Sequence, residues 1–116
     1  SKKTMQYKEG GLIANRTNLP KPQTLEDTEL INCIFYELAQ PKGEISLLNG
    51  EETLRVSEVG GAEVGSRLTF VTWTQPNAPY FCLEPWMSPP NAPENKTVRI
   101  VAPAARDEFT IEIELA

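Results

Sequence analysis

The sequence contains no histidine and only two cysteines in its 116 residues. Without histidine, this chain alone cannot form a Ser-His-Asp triad, a Cys-His nucleophile pair or an imidazole-based zinc site. Acid–base chemistry near neutral pH is therefore left to carboxylates, lysine, tyrosine or cysteine. The chain also lacks a glycine-rich phosphate loop, and its acidic clusters do not have calcium-loop spacing. We therefore expect no metal site and no cofactor.

Acidic residues outnumber basic ones: the chain has 16 aspartates and glutamates and 11 lysines and arginines, which gives a net charge of −5. A nucleic-acid partner is not expected, because phosphate recognition needs a basic surface. No apolar run is long enough to span a membrane, which favours a soluble protein. Cys33 and Cys82 form no CxxC pair and are predicted to be buried free thiols in a reducing compartment, the cytoplasm or an organelle interior. A disulfide between them is the alternative.

Ten prolines and seven glycines separate short apolar segments, a pattern typical of an all-β protein. No segment has a sustained helical periodicity. We predict an antiparallel β-sandwich, with strands at residues 31–38, 45–48, 53–59, 67–75, 80–86, 97–101 and 109–115.

Three local features refine this prediction. Asn49-Gly50 predicts a hairpin, because both residues tolerate a positive φ. Strict alternation in the last strand places its apolar residues inward and its polar residues outward. The inward residues are Phe109, Ile111, Ile113 and Leu115.

The first part of the chain, residues 1–23, is predicted to be a basic, proline-marked arm with a strand-like patch at 11–14. Residues 24–116 then form the β-domain. Its start is predicted to be a single helical turn over residues 24–29, capped by Thr24 with Asp27 three positions later.

The predicted strand that begins at Tyr80 concentrates reactive side chains. Alternation places Tyr80, Cys82, Glu84 and Trp86 on one face. A carboxylate among aromatic rings and a thiol is desolvated, which suits it to act as a base. Pro85 removes a backbone donor, so the strand ladder is predicted to end or bulge there.

The aromatic residues of this region suggest a ligand. Trp86, with Trp73 or Tyr80, offers a flat apolar face to a sugar ring. In the alternative interpretation, Glu84 caps a strand end at the surface and both tryptophans belong to the core.

Two motifs give this region a family resemblance. Residues 81–86 read Phe-Cys-Leu-Glu-Pro-Trp, and residues 90–92 read Pro-Asn-Ala. Both resemble the C-terminal end of the aldose 1-epimerases, the galactose mutarotase-like family, in which a Cys/Ile-Leu/Ile-Glu stretch precedes a loop with Pro-Asn-Ala. The resemblance extends over residues 24–116. It implies the C-terminal portion of a large antiparallel β-supersandwich.

The resemblance also implies roles for individual residues. Glu84 stands at the position of the family's general base, which takes the proton from the anomeric hydroxyl of the sugar. Asn32 stands where the family has an aspartate that binds sugar hydroxyls, and Trp86 and Asn91 are further predicted sugar contacts. The family's general acid and a second sugar-binding residue are histidines, which this chain lacks.

Two hypotheses follow. In the first, the chain is a C-terminal, carbohydrate-binding aldose 1-epimerase-like domain with an incomplete catalytic set, an isomerase that is weak or inactive alone. In the second, it is a non-catalytic structural or assembly subunit derived from that family. A half-sandwich leaves sheet edges and an apolar face to be covered, so a protein partner or self-association is expected besides a monosaccharide. A free-standing β-sandwich with an accidental motif is the third alternative.

Overall fold

A computed structural model describes residues 3–8, 11–15, 24–47, 50–60, 68–90, 93 and 100–116. These residues form two antiparallel sheets with almost no helix, which confirms the predicted all-β fold class. A short 3₁₀ helix, Thr28–Leu30, precedes the third strand. The strands are β1 (Lys3–Lys8), β2 (Gly11–Asn15), β3 (Cys33–Tyr36), β4 (Lys42–Ser46), β5 (Thr53–Glu58), β6 (Thr69–Trp73), β7 (Cys82–Trp86) and β8 (Ile111–Leu115).

The larger sheet has five strands in the order β2-β1-β3-β6-β7, and the smaller sheet has three in the order β4-β5-β8. The sequence predicts the β2 strand but assigns residues 3–8 to an arm. The structure adds β1 there, paired with both β2 and β3. Polar residues dominate β1, so hydrophobic periodicity does not mark it, and the strand is defined by its two neighbours.

The larger buried cluster lies between the two sheets, and a second one, Ile34 with Val71, lies on the other face of the larger sheet. Val56 of the smaller sheet packs with Leu68 and Phe70, and all three are buried. Phe35 and Leu83 of the larger sheet contact the same cluster. The two layers therefore pack as a sandwich, with β6 at the centre of the contact.

The sheets approach each other closely where β4 lies against Phe70. A Cβ atom built on Gly43 would lie 3.1 Å from two ring atoms of Phe70 and 3.4 Å from a methyl group of Leu83. Glycine at this position lets the β4 backbone lie directly on the aromatic ring.

The 45–48 and 53–59 segments form the predicted hairpin, with strand bounds that differ. β4 starts earlier, at Lys42, and Ser46 pairs with Thr53. The connection is therefore longer than a two-residue turn. Within it Gly50 has a φ of 73° and its N–H donates to the Leu47 carbonyl at 2.9 Å. Asn49 lies outside the described residues.

The predicted helical turn is displaced toward the C-terminus. The Asp27 N–H donates a hydrogen bond to the Thr24 carbonyl at 3.0 Å, and the 3₁₀ helix begins only at Thr28. Asp27 is itself a favoured residue at a helix start, which explains the later beginning. Between β6 and β7 the chain turns at residues 76 and 77, with Asn77 at a φ of 60°. Of the strand predicted at 97–101, residues 97–99 lie outside the described residues, and Ile100 and Val101 are not in a strand.

The prediction for the last strand is half right. Phe109 and Ile111 contact the core between the sheets, but Ile113 and Leu115 are each 70% exposed. Ile113 pairs with Val56, so it does lie on the inner face. Alternation decides the face of a side chain, whereas its burial depends on the opposite sheet. β8 lies at an edge of the smaller sheet, where the larger sheet no longer covers the side chains of its inner face.

The two cysteines are not joined by a disulfide. Cys33 is buried and Cys82 half-buried. They lie on opposite faces of the larger sheet, because Cys33 pairs with Thr72 and Cys82 with Trp73. Among the described residues, no helix is long and apolar enough to cross a membrane.

Replacing Gly43 with valine is expected to destabilise the fold by about 1–3 kcal/mol, because the new side chain overlaps the buried Phe70 ring. Urea unfolding measures the effect. Ser46→Val is the control, since Ser46 lies in the same strand but is exposed. Equal stability of the two variants would show that the sheets do not need this close approach.

Candidate functional site

The candidate site lies on the outer face of β6 and β7, away from the core between the sheets. Glu84 pairs with Val71, and Trp86 pairs with Thr69. Leu83, between them in the chain, points the other way and packs in the core. The predicted alternation along β7 is therefore confirmed. We call the surface formed by Trp73, Cys82, Glu84 and Trp86 the Glu84 face.

Glu84 and Trp86 are joined directly on this face. The Trp86 indole Nε1 donates a hydrogen bond to Glu84 Oε2 at 3.3 Å. Glu84 is half-buried and Trp86 is 38% exposed, so both remain accessible from solvent. The carboxylate is therefore oriented by a neighbour while an oxygen stays open to a ligand.

Pro85 lies between them in an edge strand, where a missing backbone donor can be tolerated. The ladder was predicted to end or bulge at Pro85, but it continues for one more pair, Thr69 with Trp86. The edge position explains the difference, because only one side of β7 needs to pair. Beyond Trp86 the strand ends, as the proline-rich segment that follows suggests.

An aromatic pair lies just before the start of β7. The rings of Trp73 and Tyr80 are 5.8 Å apart between centroids and tilted by 31°. Tyr80 is 44% exposed, and Trp73 is half-buried. The Thr74 hydroxyl donates to the Tyr80 carbonyl at 2.6 Å, which holds the approach to β7 against the end of β6. The alternative in which the tryptophans are core residues is wrong for Trp86, which is exposed.

The other predicted contacts are not gathered around Glu84. Asn32 precedes β3, and β6 lies between β3 and β7, which separates their backbones by about 10 Å. Asn32 has a φ of 56°, a conformation that asparagine adopts more readily than most residues. The backbone conformation alone therefore accounts for an asparagine at position 32. A sugar contact from Asn32 stays a prediction. Asn91 lies outside the described residues.

Sequence reasoning missed an open cleft of about 520 Å³ beside the start of β7. One wall is the turn that contains Leu25 and Glu26, and the other is the loop between β6 and β7. Tyr80 lines the cleft, but Glu84 does not. Only tertiary packing brings these distant segments together, so no local pattern could have indicated the cleft.

The first wall of the cleft is anchored to the sheet by a buried hydroxyl. Thr72 is 5% exposed, and its Oγ1 donates to the Leu30 carbonyl at 2.6 Å. A second, longer contact of 3.4 Å reaches the Cys33 carbonyl. The 3₁₀ turn is thus fixed to β6 at the point where β3 begins.

The smaller sheet contains a charge network on its exposed face. Arg55 Nε lies 2.7 Å from Glu44 Oε1, and Arg55 Nη1 lies 2.7 Å from Glu114 Oε2. Lys42 Nζ also contacts Glu44, at 3.0 Å. The hydrogen bonds from Arg55 and then Lys42 lower the pKa of Glu44, and the bond to Glu44 is the main reason that the pKa of Arg55 is raised. Within the described residues, no group of histidine, cysteine, aspartate or glutamate is arranged to hold a metal ion.

Comparison with protein-family models finds no match, and comparisons with curated proteins and with solved structures find none either.

Removing the Thr72 hydroxyl is expected to destabilise the fold by about 1–3 kcal/mol, because Thr72→Val leaves the buried Leu30 carbonyl without this donor. Thr72→Ser keeps the hydroxyl and should lose less. Thermal or urea unfolding distinguishes the two, with Thr110→Val at an exposed position as the control. Equal losses for the serine and valine variants would mean that packing, not the hydrogen bond, holds the turn.

Proposed function

We propose that the chain is a C-terminal aldose 1-epimerase-like domain that binds carbohydrate and retains the general base of a mutarotase, Glu84, without a histidine acid. The observation that carries the proposal is the half-buried Glu84 carboxylate, held by the Trp86 indole on a solvent-accessible face. The Phe-Cys-Leu-Glu-Pro-Trp motif supports the same assignment.

The aromatic residues on this face support a sugar ligand. Trp86 is exposed beside the carboxylate, and the Trp73–Tyr80 pair lies further along the same side of the sheet. Aromatic rings cover the apolar face of a pyranose, while a carboxylate accepts hydrogen bonds from its hydroxyls.

The reaction needs two proton transfers. Glu84 accepts the proton of the anomeric hydroxyl as the bond from the anomeric carbon to the ring oxygen breaks, and the ring oxygen takes up a proton. Rotation of the free aldehyde and the reverse steps give the other anomer. The chain has no histidine to supply the second proton, and in this proposal water supplies it. A missing general acid costs roughly 10²–10⁴-fold in rate, so weak activity is expected.

The test is polarimetry of freshly dissolved α-glucose or α-galactose with the wild-type chain and with Glu84→Gln. We expect a small acceleration over the uncatalysed reaction, and its complete loss in the variant, because glutamine cannot accept the proton. Glu112→Gln, an exposed carboxylate on the other sheet, is the control and should keep the wild-type rate. Equal rates for wild type and Glu84→Gln would refute the role of Glu84.

A second candidate is a non-catalytic structural or assembly subunit. The observation that favours it is the exposure of Ile113 and Leu115 on the edge strand β8, an apolar surface at a sheet edge. Sugar binding is not needed for this function.

Titration with glucose or galactose separates the two candidates through tryptophan fluorescence. Sugar binding at the Glu84 face is expected to change the emission of Trp86, and Trp73→Phe leaves that tryptophan as the sole reporter. Trp86→Phe is the matched variant; it removes the indole that contacts Glu84 and should weaken the binding that Trp73 then reports. A saturable signal supports the carbohydrate-binding domain, whereas no signal at saturating sugar supports the assembly subunit.

A further inference from the structure

The outer side of β8 is an unused sheet edge. Thr53 and Ala116 exchange both backbone hydrogen bonds, at 2.6 and 2.9 Å. This pair shows which residue pairs of the β5–β8 ladder are hydrogen-bonded and which are not. Bonded and non-bonded pairs alternate along an antiparallel ladder, so Glu114, two residues before Ala116, also bonds to β5. In the described part of the chain no strand pairs with the other side of β8.

The backbone groups that face this open edge belong to the apolar residues. By the same alternation, the N–H and carbonyl groups of Ile111, Ile113 and Leu115 point away from β5. The side chains of Ile113 and Leu115 are each 70% exposed on the inner face. An added strand would therefore gain backbone hydrogen bonds and apolar contacts at the same positions.

The other face of β8 indicates the charge of an incoming strand. Glu44, Arg55 and Glu114 lie directly opposite one another on β4, β5 and β8. Both neighbouring pairs are in contact, at 2.7 Å each, so the row alternates acid, base, acid. Opposite charges stabilise directly opposed positions, so a base extends this row. Glu112, two residues earlier, is also exposed on this face.

We propose that β8 binds, by strand addition, an extended segment of a partner protein in which apolar residues alternate with lysine or arginine. The apolar residues lie beside Ile113 and Leu115, and the basic residues lie opposite Glu112 and Glu114. The proposal does not depend on Glu84 or on sugar binding.

Charge argues against a second copy of the chain as the occupant. An antiparallel β8–β8 pair centred on Ile113 would place Glu112 of one copy opposite Glu114 of the other. Like charges directly opposed in a sheet are destabilising. A basic strand is free of this conflict.

The test measures binding of two fluorescein-labelled peptides to the full chain by fluorescence anisotropy. One peptide alternates valine with lysine, and the other alternates valine with glutamate. We expect the lysine peptide to bind at least about tenfold more tightly at low salt, and the difference to shrink at high salt. Equal affinities, or a preference for the glutamate peptide, would overturn the proposal.

Two variants locate the binding on β8. Ile113→Pro removes the N–H that faces the open edge without removing a bond to β5, and it should abolish peptide binding. Glu112→Lys leaves the backbone unchanged and should remove most of the preference for the lysine peptide, because only Glu114 then remains opposite a base. Leu47→Thr removes an exposed apolar residue elsewhere and should change neither affinity.

Circular dichroism establishes that each variant is folded. Where Ile113→Pro fails to fold, Glu112→Lys decides alone, and an unchanged preference for lysine in that variant refutes the proposal. Unchanged binding in a folded Ile113→Pro variant also refutes it. Light scattering tests whether a second copy of the chain occupies β8 instead. A dimer that becomes more stable in Glu112→Lys, or that dissociates in Ile113→Pro, would mean that a second copy covers β8.

Discussion

The close contact between Gly43 and Phe70 is the constraint on which the arrangement of the two sheets depends. An added Cβ at Gly43 would lie 3.1 Å from the Phe70 ring, so the absence of a side chain sets how near β4 can lie. That distance brings Val56 onto Leu68 and Phe70 and closes the core. Since Phe70 is on the inner face of β6, the same contact determines which residues of β6 and β7 face outward.

The core and the candidate site therefore share one strand. Leu83 packs inward with Phe70, and Glu84, the next residue, points outward beside Trp86. The pleat of β7 ties the direction of the carboxylate to the packing of Leu83. A core change that shifts the β7 backbone at Leu83 would therefore also move Glu84, because the two residues are adjacent in one strand.

Two of the four edge strands in the described sheets have different chemistry. β7, at one edge of the larger sheet, contains Pro85, a residue that blocks further pairing. β8, at one edge of the smaller sheet, has no proline, and its exposed Ile113 and Leu115 alternate with Glu112 and Glu114. β7 is thus protected from strand addition, whereas β8 has the alternating apolar and acidic pattern with which an added basic strand can pair.

The sequence by itself determined the all-β class, the grouping of Cys82, Glu84 and Trp86 on one face of β7, and the lack of any histidine acid. Period-two alternation and turn residues are local properties, and they were enough for the hairpin and for both faces of β7. Tertiary structure alone decided that β1 joins the larger sheet, that Trp73 meets Tyr80 and that the cleft forms beside them. It also decided that Ile113 and Leu115 are exposed, because burial depends on which distant strand lies opposite, and alternation carries no information about that.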